Sequence, residues 1–536
     1  MISRPGLLPI SAVQELKRFA LPFAIYSALL AAGAITSADV VNPDAICYAR
    51  NAQYIAGARF LDSASGCWSP LISWCAVPLV SAGVEALTAL RVVLAVWGFL
   101  FIAACAVLLR AFGRPRMAAE ITILSLVSIL AAYGATRIIT PDVIASACLI
   151  AYSANTLSPA LFTRNSRAVL CGFLGGVSFL AKAYAFPFVV AHFALVCLMH
   201  WLPRRTELPA RKVVVKWLFG MVAFGLVSAP WIGLLTYKYG EITFSTAGRI
   251  NRAIIGPNSP SAESHPTFRG LHTPPAGRIS VWEVPETTHY SYWSPFESRA
   301  YFCYQARLVA QTGWRMLRRI QDFDVLRITL LAFLVLPVVC YRTPAFFPCA
   351  WTTATVALYV SGLLLVHFQE RYFLFYLWPI CCVYCLGFGY DVLCKYGEKA
   401  AIPRRILVCV AVIAVASFAG RTVEFASNVI WPDDEGKFIY RAIANGLHEG
   451  PSAGTIAGTN GNDLYASYLV NRPYLGIPDA KTVGEVESEL KEHGARAFLV
   501  HSDWELAGTF ERSTSWTCVQ KIPCGRVSVD VYAPPP

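Results

Sequence analysis

Apolar segments of about 20 residues recur along this chain, separated by short polar stretches rich in Arg and Lys. That length matches an α-helix that crosses the roughly 30 Å hydrocarbon core of a bilayer. Only 15% of the residues are charged and 56% are hydrophobic, whereas soluble globular proteins carry about 25% charged residues. The chain is therefore predicted to be a polytopic α-helical membrane protein with about 11 transmembrane helices.

The direction of each predicted span follows from the distribution of basic residues. The short loops rich in Arg and Lys all fall on one side, which predicts a cytoplasmic amino terminus and carboxyl-terminal residues outside. An apolar segment at 68–84 is interrupted by Pro70 and Pro78 and is predicted to be interfacial or re-entrant. The predicted spans are 19–35, 87–112, 118–133, 143–157, 169–181, 186–202, 217–235, 325–341, 346–366, 372–393 and 406–418.

The predicted domain boundary follows residue 428. Residues 1–428 are predicted to form the transmembrane domain, with a first outer loop at 36–86 and a long outer loop at 237–324. Residues 429–536 are predicted to form a small α/β domain outside the cytoplasm, because strand patterns there alternate with a helix pattern. The patterns predict a helix at Val483–His493 and strands at Ala497–His501 and Val527–Tyr532.

The long outer loop is rich in aromatic residues, among them Trp282 and Trp293. This composition argues against disorder, because disordered segments contain few aromatic residues. Aromatic side chains beside an outer cavity suit the faces of sugars or lipid tails. They are equally typical of anchors at the membrane interface.

Charge and cysteine usage exclude two classes of function. The net charge of +12 does not indicate nucleic-acid binding, since no basic stripe or base-stacking module accompanies it. Most of the 17 cysteines lie in apolar segments, where they act as small hydrophobic residues, and none has the spacing of a zinc site. Two pairs in polar segments, Cys47 with Cys67 and Cys518 with Cys524, are candidates for disulfides outside the cytoplasm.

Ionisable residues lie at the predicted outer ends of several spans, where charged groups are rare and typically mark a substrate path. Asp44 and Asp142 also suit the caps or first turns of helices, and Lys182 and Arg371 also suit contacts with lipid headgroups. If the spans bundle, these side chains are predicted to converge on one outer cavity. The residues are Asp39, Asp44, Arg137, Asp142, Lys182, Glu370 and Arg371.

Carboxylates and cations in one cavity favour the transfer of a group from a lipid phosphate to a hydroxyl or amine. A carboxylate can take the proton of the acceptor as general base. Cations can bind the phosphate and stabilise the charge that develops on it. With a single base and a phosphate leaving group, transfer of a sugar is predicted to invert the anomeric configuration.

Five short motifs follow one another in a fixed order along the chain. They are Asp44-Ala-Ile-Cys-Tyr48-Ala-Arg50, Trp68-Ser-Pro-Leu71, Arg137-Ile-Ile-Thr-Pro-Asp142, the segment Gly172–Lys182, and Glu370-Arg371-Tyr372. In this order and topology the chain resembles the GT-C superfamily of integral membrane glycosyltransferases. The resemblance is to the bacterial branch related to protein mannosyltransferases and the lipid A aminoarabinose transferase, and it covers the first seven spans best.

The resemblance implies a polyprenyl-phosphate-linked sugar as donor and a lipid, glycan or protein as acceptor. It also implies a periplasmic active site in a bacterial inner membrane, in contact with membrane lipids. Asp44 matches the catalytic acid in the first outer loop of the superfamily, and Arg371 or Lys182 is expected to contact the donor phosphate. The residues expected to bind substrate are Asp39, Tyr48, Arg59, Arg137, Asp142, Lys182, His367, Glu370 and Arg371.

Two positions depart from the superfamily pattern. Many members have Glu where this chain has Ala45, so Asp44 is expected to act alone or with help from Asp39 or Asp142. Some members have a basic residue where this chain has Ser69. The phosphate contact can therefore also come from the long outer loop or from two further cations, Arg59 and Arg137.

The resemblance is compatible with a reaction that uses a divalent metal ion and with one that does not. Some members of the superfamily use a divalent metal ion and others do not. The ligand types of a metal site are present in Asp44, Asp142, His367 and Glu370, although no spacing rule supports a site.

Two other classes of membrane protein compete with a transferase. A transporter or flippase of lipid-linked sugars would favour inverted repeats and broken helices in corresponding halves of the chain, and neither is evident. A structural or assembly protein would not need so many outer ionisable residues. The sequence therefore favours a glycosyltransferase, with the transporter or flippase as the alternative.

Overall fold

The computed structural model describes residues 12–113, 115–204, 206–257, 269–288, 290–321, 325–365, 369–399, 404–432, 439–449 and 454–534. The chain divides into two compact units. The first, here called the helix unit, comprises Met1–Ala38, Arg91–Trp231 and Arg307–Pro432. The second, here called the mixed unit, comprises Asp39–Leu90, Ile232–Ala306 and Asp433–Pro536.

Helices dominate the described residues, and the strands lie in the mixed unit. The helices are α1 Ala12–Thr36, α2 Pro43–Ala56, α3 Phe60–Ser63, α4 Leu71–Ser81, α5 Ala86–Phe112, α6 Met117–Arg137, α7 Asp142–Leu157, α8 Asn165–Ala181, α9 Ala185–Trp201, α10 Ala210–Tyr239, α11 Ala247–Ile254, α12 Arg299–Gln321, α13 Val325–Val339, α14 Phe346–Leu363, α15 Glu370–Leu374, α16 Leu377–Cys382, α17 Tyr390–Lys399, α18 Arg404–Ile430, α19 Ile439–Glu449, α20 Asn462–Leu469, α21 Val483–Glu492 and α22 Ala507–Phe510. The strands are β1 Gly270–Leu271, β2 Ile456–Gly458, β3 Gly476–Ile477, β4 Ala497–His501, β5 Thr517–Cys524 and β6 Val527–Ala533.

The prediction of a polytopic membrane protein is confirmed. Within the described residues, seven helical stretches are long and apolar enough to cross a membrane. Four shorter apolar helices accompany them: α4, α7, α8 and α9. The interrupted segment predicted at 68–84 forms α4, which contains Pro78 and belongs to the mixed unit.

Small residues allow close helix packing in the helix unit. A Cβ atom at Gly172 of α8 would lie 1.9 Å from the carbonyl oxygen of Gly220 in α10, so these two helices cross with backbones almost in contact. Membrane helices use glycine in this way, because lipid gives no hydrophobic drive and packing must hold the bundle. Any larger residue at Gly172 would force α8 and α10 apart.

The predicted span at 372–393 is broken into pieces. The structure has α15, then α16, then a π-helical turn at Val383–Gly389, then α17. Pro379 lies in the first turn of α16, where its missing N–H is tolerated, and so the helix restarts just before it. This broken stretch is among the most buried in the helix unit, and π-helical turns often lie at functional sites.

The long outer loop predicted at 237–324 contains more regular structure than expected. Its described residues include α11, two 3₁₀ turns at Val281–Glu283 and Pro285–Thr287, the short strand β1 and the 23-residue helix α12. The aromatic residues of the loop help to hold this regular structure in place. Trp293 is buried, donates its indole N–H to the carbonyl of Arg252 at 2.9 Å and packs against Tyr304.

The carboxyl-terminal residues form a four-stranded sheet in the order β2-β4-β6-β5. Strands β2 and β4 are parallel, and the other pairs are antiparallel. The predicted helix at Val483–His493 and both predicted strands are confirmed to within two residues. Their core is aromatic, with Phe498, Phe510, Trp516 and Tyr532 buried together.

Strand β1, from the long outer loop, pairs with β3 of the carboxyl-terminal segment. Gly476 in β3 has φ of +126°, a backbone conformation that favours glycine. A Cβ atom there would lie 2.3 Å from the carbonyl oxygen of Gly270. The pairing therefore requires glycine at position 476.

The predicted disulfide between Cys518 and Cys524 is wrong. The two residues stand at opposite ends of β5, and a rise of about 3.3 Å per residue separates them by roughly 20 Å. Disulfides need Cα atoms within about 7 Å of each other. Cys47 and Cys67, the other predicted pair, are also free thiols in the structure.

A buried His–Asp pair joins strand β4 of the carboxyl-terminal sheet to helix α20, and it predicts a pH-dependent stability. His501 Nε2 lies 2.8 Å from Asp463 Oδ1. Burial lowers the pKa of His501, but the hydrogen bond and charge of Asp463 raise it by more, so the net pKa is raised. Stability from the pair is therefore present below the unfolded-state pKa and lost as the pH rises through the folded-state pKa.

We expect the thermal midpoint of the purified protein to fall between about pH 6 and about pH 8, and His501→Gln to reduce that fall. His493→Gln is the matched control, since His493 lies outside the pair and contacts only the carbonyl of Glu489 among the bonds described. Equal pH dependence in wild type and His501→Gln would contradict the prediction.

Candidate functional site

Asp142 is the centre of an ion cluster in the helix unit. It is the first residue of α7 and is buried. Its carboxylate accepts a hydrogen bond from Lys182 Nζ and one from Thr140 Oγ1 at 2.5 Å, and Arg371 Nε lies 3.9 Å away. Thr140 therefore binds the Asp142 side chain. It does not cap the helix, for which no side-chain cap is present.

Three separate elements bring this cluster together. Asp142 starts α7, Lys182 directly follows α8, and Arg371 belongs to α15, the first piece of the broken span. Both cations also approach the ring of Tyr372, with Lys182 Nζ 4.0 Å from its centroid. The broken span thus supplies both a cation and an aromatic ring to the ends of two other helices.

Two cations in the cluster meet one carboxylate. Lys182 and Arg371 both approach Asp142. The side chains of Lys182 and Arg371 are 27% and 21% exposed, whereas that of Asp142 is only 5% exposed. The carboxylate thus holds the cations in place, and their exposed sides can receive a phosphate.

Two other predicted site residues of the helix unit have different partners. Glu370 accepts a hydrogen bond from Arg421 of α18 at 2.8 Å. Arg137, the last residue of α6, donates to Ser37 Oγ at 3.2 Å. Both lie at the ends of helices in the helix unit, as predicted, but their described contacts do not include Asp142.

Asp44 lies in the first turn of α2, in the mixed unit. Asn42 caps this helix by accepting the N–H of Ala45 at 2.8 Å, so the alternative that Asp44 is the cap is wrong. The side chain of Asp44 instead accepts the indole N–H of Trp282 at 3.1 Å. The carboxylate therefore has a defined orientation that is not required by the helix itself.

An aromatic cluster surrounds this contact. Trp68 donates its indole N–H to the carbonyl of Trp282 at 2.8 Å, and their ring centroids are 5.4 Å apart in an edge-to-face arrangement. Tyr48, a predicted substrate-binding residue, is buried and packs edge-to-face on Trp68. The side chain of Tyr48 thus packs against Trp68, which in turn contacts Trp282, the hydrogen-bond donor to Asp44.

A buried carboxylate, Glu283, follows Trp282 and was missed by the sequence analysis. It is fully buried and accepts the hydroxyl of Tyr54 at 2.7 Å and the N–H of Ile279 at 2.6 Å. The guanidinium groups of Arg278 and Arg50 lie 3.6 and 3.8 Å from it. The hydrogen bond and burial contribute to a pKa of Tyr54 raised to about 12, with burial the largest cause.

The signal for Glu283 was present in the sequence. It is a single acidic residue within the apolar run Ile279–Val284, and buried charges are almost always paired. What the sequence did not contain was the identity of its partners, because Arg50 and Tyr54 lie more than 200 positions earlier (283 − 54 = 229).

The remaining predicted residues are placed as follows. Asp39 forms an ion pair with Arg441, and its backbone carbonyl accepts the hydroxyl of Tyr440 at 3.1 Å. Arg59 forms an ion pair with Asp62 at 2.7 Å, and both residues are exposed. His367 lies outside the described residues. The predicted convergence of Asp44 with the helix-unit residues stays a prediction.

Three of the four residues proposed as metal ligands, Asp44, Asp142 and Glu370, have other partners in the described part of the chain. Among the residues that the structure describes, no group of three or more His, Cys, Asp or Glu side chains is placed to hold a metal ion. Asp142 is engaged by Lys182 and Asp44 by Trp282. The described side chains therefore do not fit a metal site.

Comparison with known proteins shows similarity in structure alone. No protein-family model matches the sequence, and no curated protein matches it significantly. Solved structures do match at low sequence identity, and three of them are described next.

ArnT from Cupriavidus metallidurans bound to undecaprenyl phosphate is 15% identical, with a TM-score of 0.54 over 97% of this chain and 98% of that one. The oligosaccharyltransferase AglB from Archaeoglobus fulgidus, in complex with an inhibitory peptide and a dolichol-phosphate, is 10% identical, with a TM-score of 0.52 over 91% and 70% of the two chains.

The arabinofuranosyltransferase AftD from Mycobacteria is 12% identical, with a TM-score of 0.51. The match covers 97% of this chain but only 40% of AftD. All three proteins are membrane glycosyltransferases of the GT-C superfamily, and they share one arrangement of helices across nearly the whole of this chain. The protein therefore has the GT-C fold.

Proposed function

We propose that this protein is a membrane glycosyltransferase that moves a sugar from a polyprenyl-phosphate-linked donor to an acceptor outside the cytoplasm. The observation that carries the proposal is the ion cluster of Asp142, Lys182 and Arg371, in which a buried carboxylate holds two partly exposed cations. Structural neighbours support it, because ArnT is bound to undecaprenyl phosphate and AglB to dolichol-phosphate.

In this proposal Lys182 and Arg371 bind the phosphate of the donor. Asp142 keeps both cations ordered before the donor arrives, so that little rearrangement is needed on binding. Their positive charge then stabilises the negative charge that builds up on the phosphate as it departs.

Asp44 acts as general base in the same proposal. It removes a proton from the attacking oxygen or nitrogen of the acceptor while that atom bonds to the anomeric carbon. The bond between the anomeric carbon and the phosphate oxygen breaks, and the phosphate leaves with the electron pair. Attack opposite to the leaving group inverts the configuration at the anomeric carbon. No step is assigned to a metal ion.

The test is a transfer assay with membrane vesicles that contain the protein and a panel of polyprenyl-phosphate donors with radiolabelled sugars. A transferase moves label from the lipid to a non-donor product and releases polyprenyl phosphate. A flippase changes the side of the membrane on which the labelled lipid lies and leaves the sugar attached. Label that stays on the donor lipid with every sugar would overturn the proposal.

Removal of either phosphate-binding cation is expected to weaken donor binding. A hydrogen bond to a charged group is worth about 1.5–3 kcal/mol, so Lys182→Ala and Arg371→Ala should each raise the donor KM roughly 10- to 100-fold. Lys182→Arg should recover much of the loss, because it keeps the charge.

Lys216→Ala is the matched control for these variants. Lys216 is a buried lysine that donates to Asn165, at the opposite end of α8 from Lys182. The measurement is initial transfer rate against donor concentration in detergent micelles. A donor KM in Lys182→Ala equal to that of the Lys216→Ala control would contradict the assignment.

A further inference from the structure

The hydrogen bond from Trp282 to Asp44 restricts the chemistry of the carboxylate. An indole nitrogen can donate a hydrogen bond but cannot accept one. Asp44 Oδ1, 3.1 Å from Trp282 Nε1, must therefore act as an acceptor. A donor aimed at a carboxylate oxygen favours the ionised form, which is the form that a general base needs.

Trp282 is itself held rigidly. It is buried and lies in the 3₁₀ turn Val281–Glu283, where Ser280 Oγ accepts its backbone N–H. Its carbonyl is bonded by Trp68, as described above. The next residue is Glu283, whose carboxylate is buried between two guanidinium groups. Displacing Trp282 would therefore break a buried charge network.

The carboxyl-terminal segment forms backbone hydrogen bonds with the same stretch of chain. Tyr474 donates its backbone N–H to the carbonyl of Ile279 at 2.6 Å, and His272 donates its backbone N–H to the carbonyl of Leu475 at 2.7 Å. Strand β1 pairs with β3 directly beyond the second of these contacts. A continuous path of hydrogen bonds thus runs from the carboxyl-terminal sheet through Ile279 and Glu283 to the turn that contains Trp282.

We propose that Trp282 is a positioning residue for Asp44, and that the carboxyl-terminal domain fixes Trp282 through the long outer loop. This inference rests on the proposed function, because it assigns Asp44 as the base. Trp282 acts through Asp44: it sets the plane of the carboxylate and keeps it ionised. The carboxyl-terminal domain is then part of the catalytic framework.

Other titratable groups lie near Asp44, and they do not change charge in the pH range where a carboxylate titrates. Those in the described residues include Cys47 of α2, Cys67 of the following loop and Tyr465 of α20. Burial is the largest cause of a raised pKa in each of them. All three are therefore neutral where a carboxylate titrates, and they contribute no charge change to the acidic limb of the rate profile.

Trp282→Phe tests the inference, because phenylalanine keeps an aromatic ring and loses the N–H. We expect kcat to fall roughly tenfold, donor KM to stay unchanged, and the acidic limb of the pH–rate profile to move to higher pH. Trp293→Phe is the matched control, since Trp293 lies in the same loop, is buried and donates its N–H to the carbonyl of Arg252.

The possible outcomes separate this inference from the proposed function. A kcat and pH profile in Trp282→Phe equal to those in Trp293→Phe overturns the positioning role and leaves the transferase proposal standing if Asp44→Asn is inactive. Full activity in Asp44→Asn overturns the assignment of the base, and with it this inference. Equal thermal midpoints in the two Trp variants exclude misfolding as the cause of a lower kcat.

Discussion

Replacement of Asp44 by Asn lowers the rate of sugar transfer by about 10²- to 10⁴-fold, the contribution expected from a positioned general base. Asparagine has nearly the same shape as aspartate, and its side-chain oxygen can still accept the indole N–H of Trp282. The variant should therefore fold normally and bind donor. It cannot take the acceptor's proton, because an amide is not basic at neutral pH. Single-turnover transfer of labelled sugar measures the chemical step directly.

Asp62→Asn is the control for Asp44→Asn. Asp62 is a carboxylate of the same region of the chain, in α3, and its described partners are the cations Arg59 and Arg278. Its replacement should leave the transfer rate within about threefold, since it is not assigned to the reaction. Its exposed ion pair with Arg59 contributes about 0–1 kcal/mol, and the buried Arg278 keeps Glu283 and the backbone carbonyl of Asp62 as partners. Equal transfer rates in the Asp44→Asn and Asp62→Asn proteins would remove Asp44 from the catalytic role.

Replacement of Glu283 by Ala is expected to destabilise the mixed unit by about 3–5 kcal/mol, because it leaves two buried cations without their carboxylate. Arg278 and Arg50 lie within 4 Å of Glu283, and their side chains are only 6% and 14% exposed. The N–H of Ile279 and the hydroxyl of Tyr54 also lose their acceptor. Such a loss is a large fraction of the stability of an ordinary domain.

Chemical unfolding of the purified protein, followed by hydrogen exchange in peptides from residues 39–90 and 269–288, measures this effect. Glu297→Ala is the matched control, since Glu297 is exposed in the same loop. The hydrogen-exchange rates of Glu283→Gln should lie between those of Glu283→Ala and Glu297→Ala, because glutamine keeps an acceptor for the N–H of Ile279 and loses the charge. If the amide hydrogens of the Glu283→Ala protein exchanged no faster than those of the Glu297→Ala protein, the Glu283 network would make no contribution to stability.

The membrane helices could be predicted largely from sequence, because hydropathy records the thickness of a bilayer directly. The predicted span at 87–112 and α5, Ala86–Phe112, differ by one residue. The break at Phe375 and Tyr376 was not predicted, because Pro379 allows a helix to restart without requiring a break, and the break depends on how α15 and α16 pack. Apart from the 23-residue helix α12, the regular structure inside the long outer loop was missed because its elements are short.

The candidate site was predictable in part. Asp142, Lys182 and Arg371 were all singled out, and the structure brings these three together. Asp44 was singled out too, but its partner Trp282 was identified only as an aromatic residue of the loop. A contact between residues 44 and 282 depends on tertiary structure, and no local spacing in the sequence encodes it.

The pairing of β1 with β3 has a consequence for how the protein is made. Leu271 and its partner Gly476 are separated by 205 positions (476 − 271), and a ribosome adds roughly 5–20 residues per second. For tens of seconds the loop that contains Trp282 exists without the strand that secures it, and an unpaired edge invites wrong pairing. A nascent chain therefore acquires its complete mixed unit only at the end of translation. Truncation after α18 leaves a chain whose candidate membrane-spanning helices are all made and whose Asp44 lacks its framework.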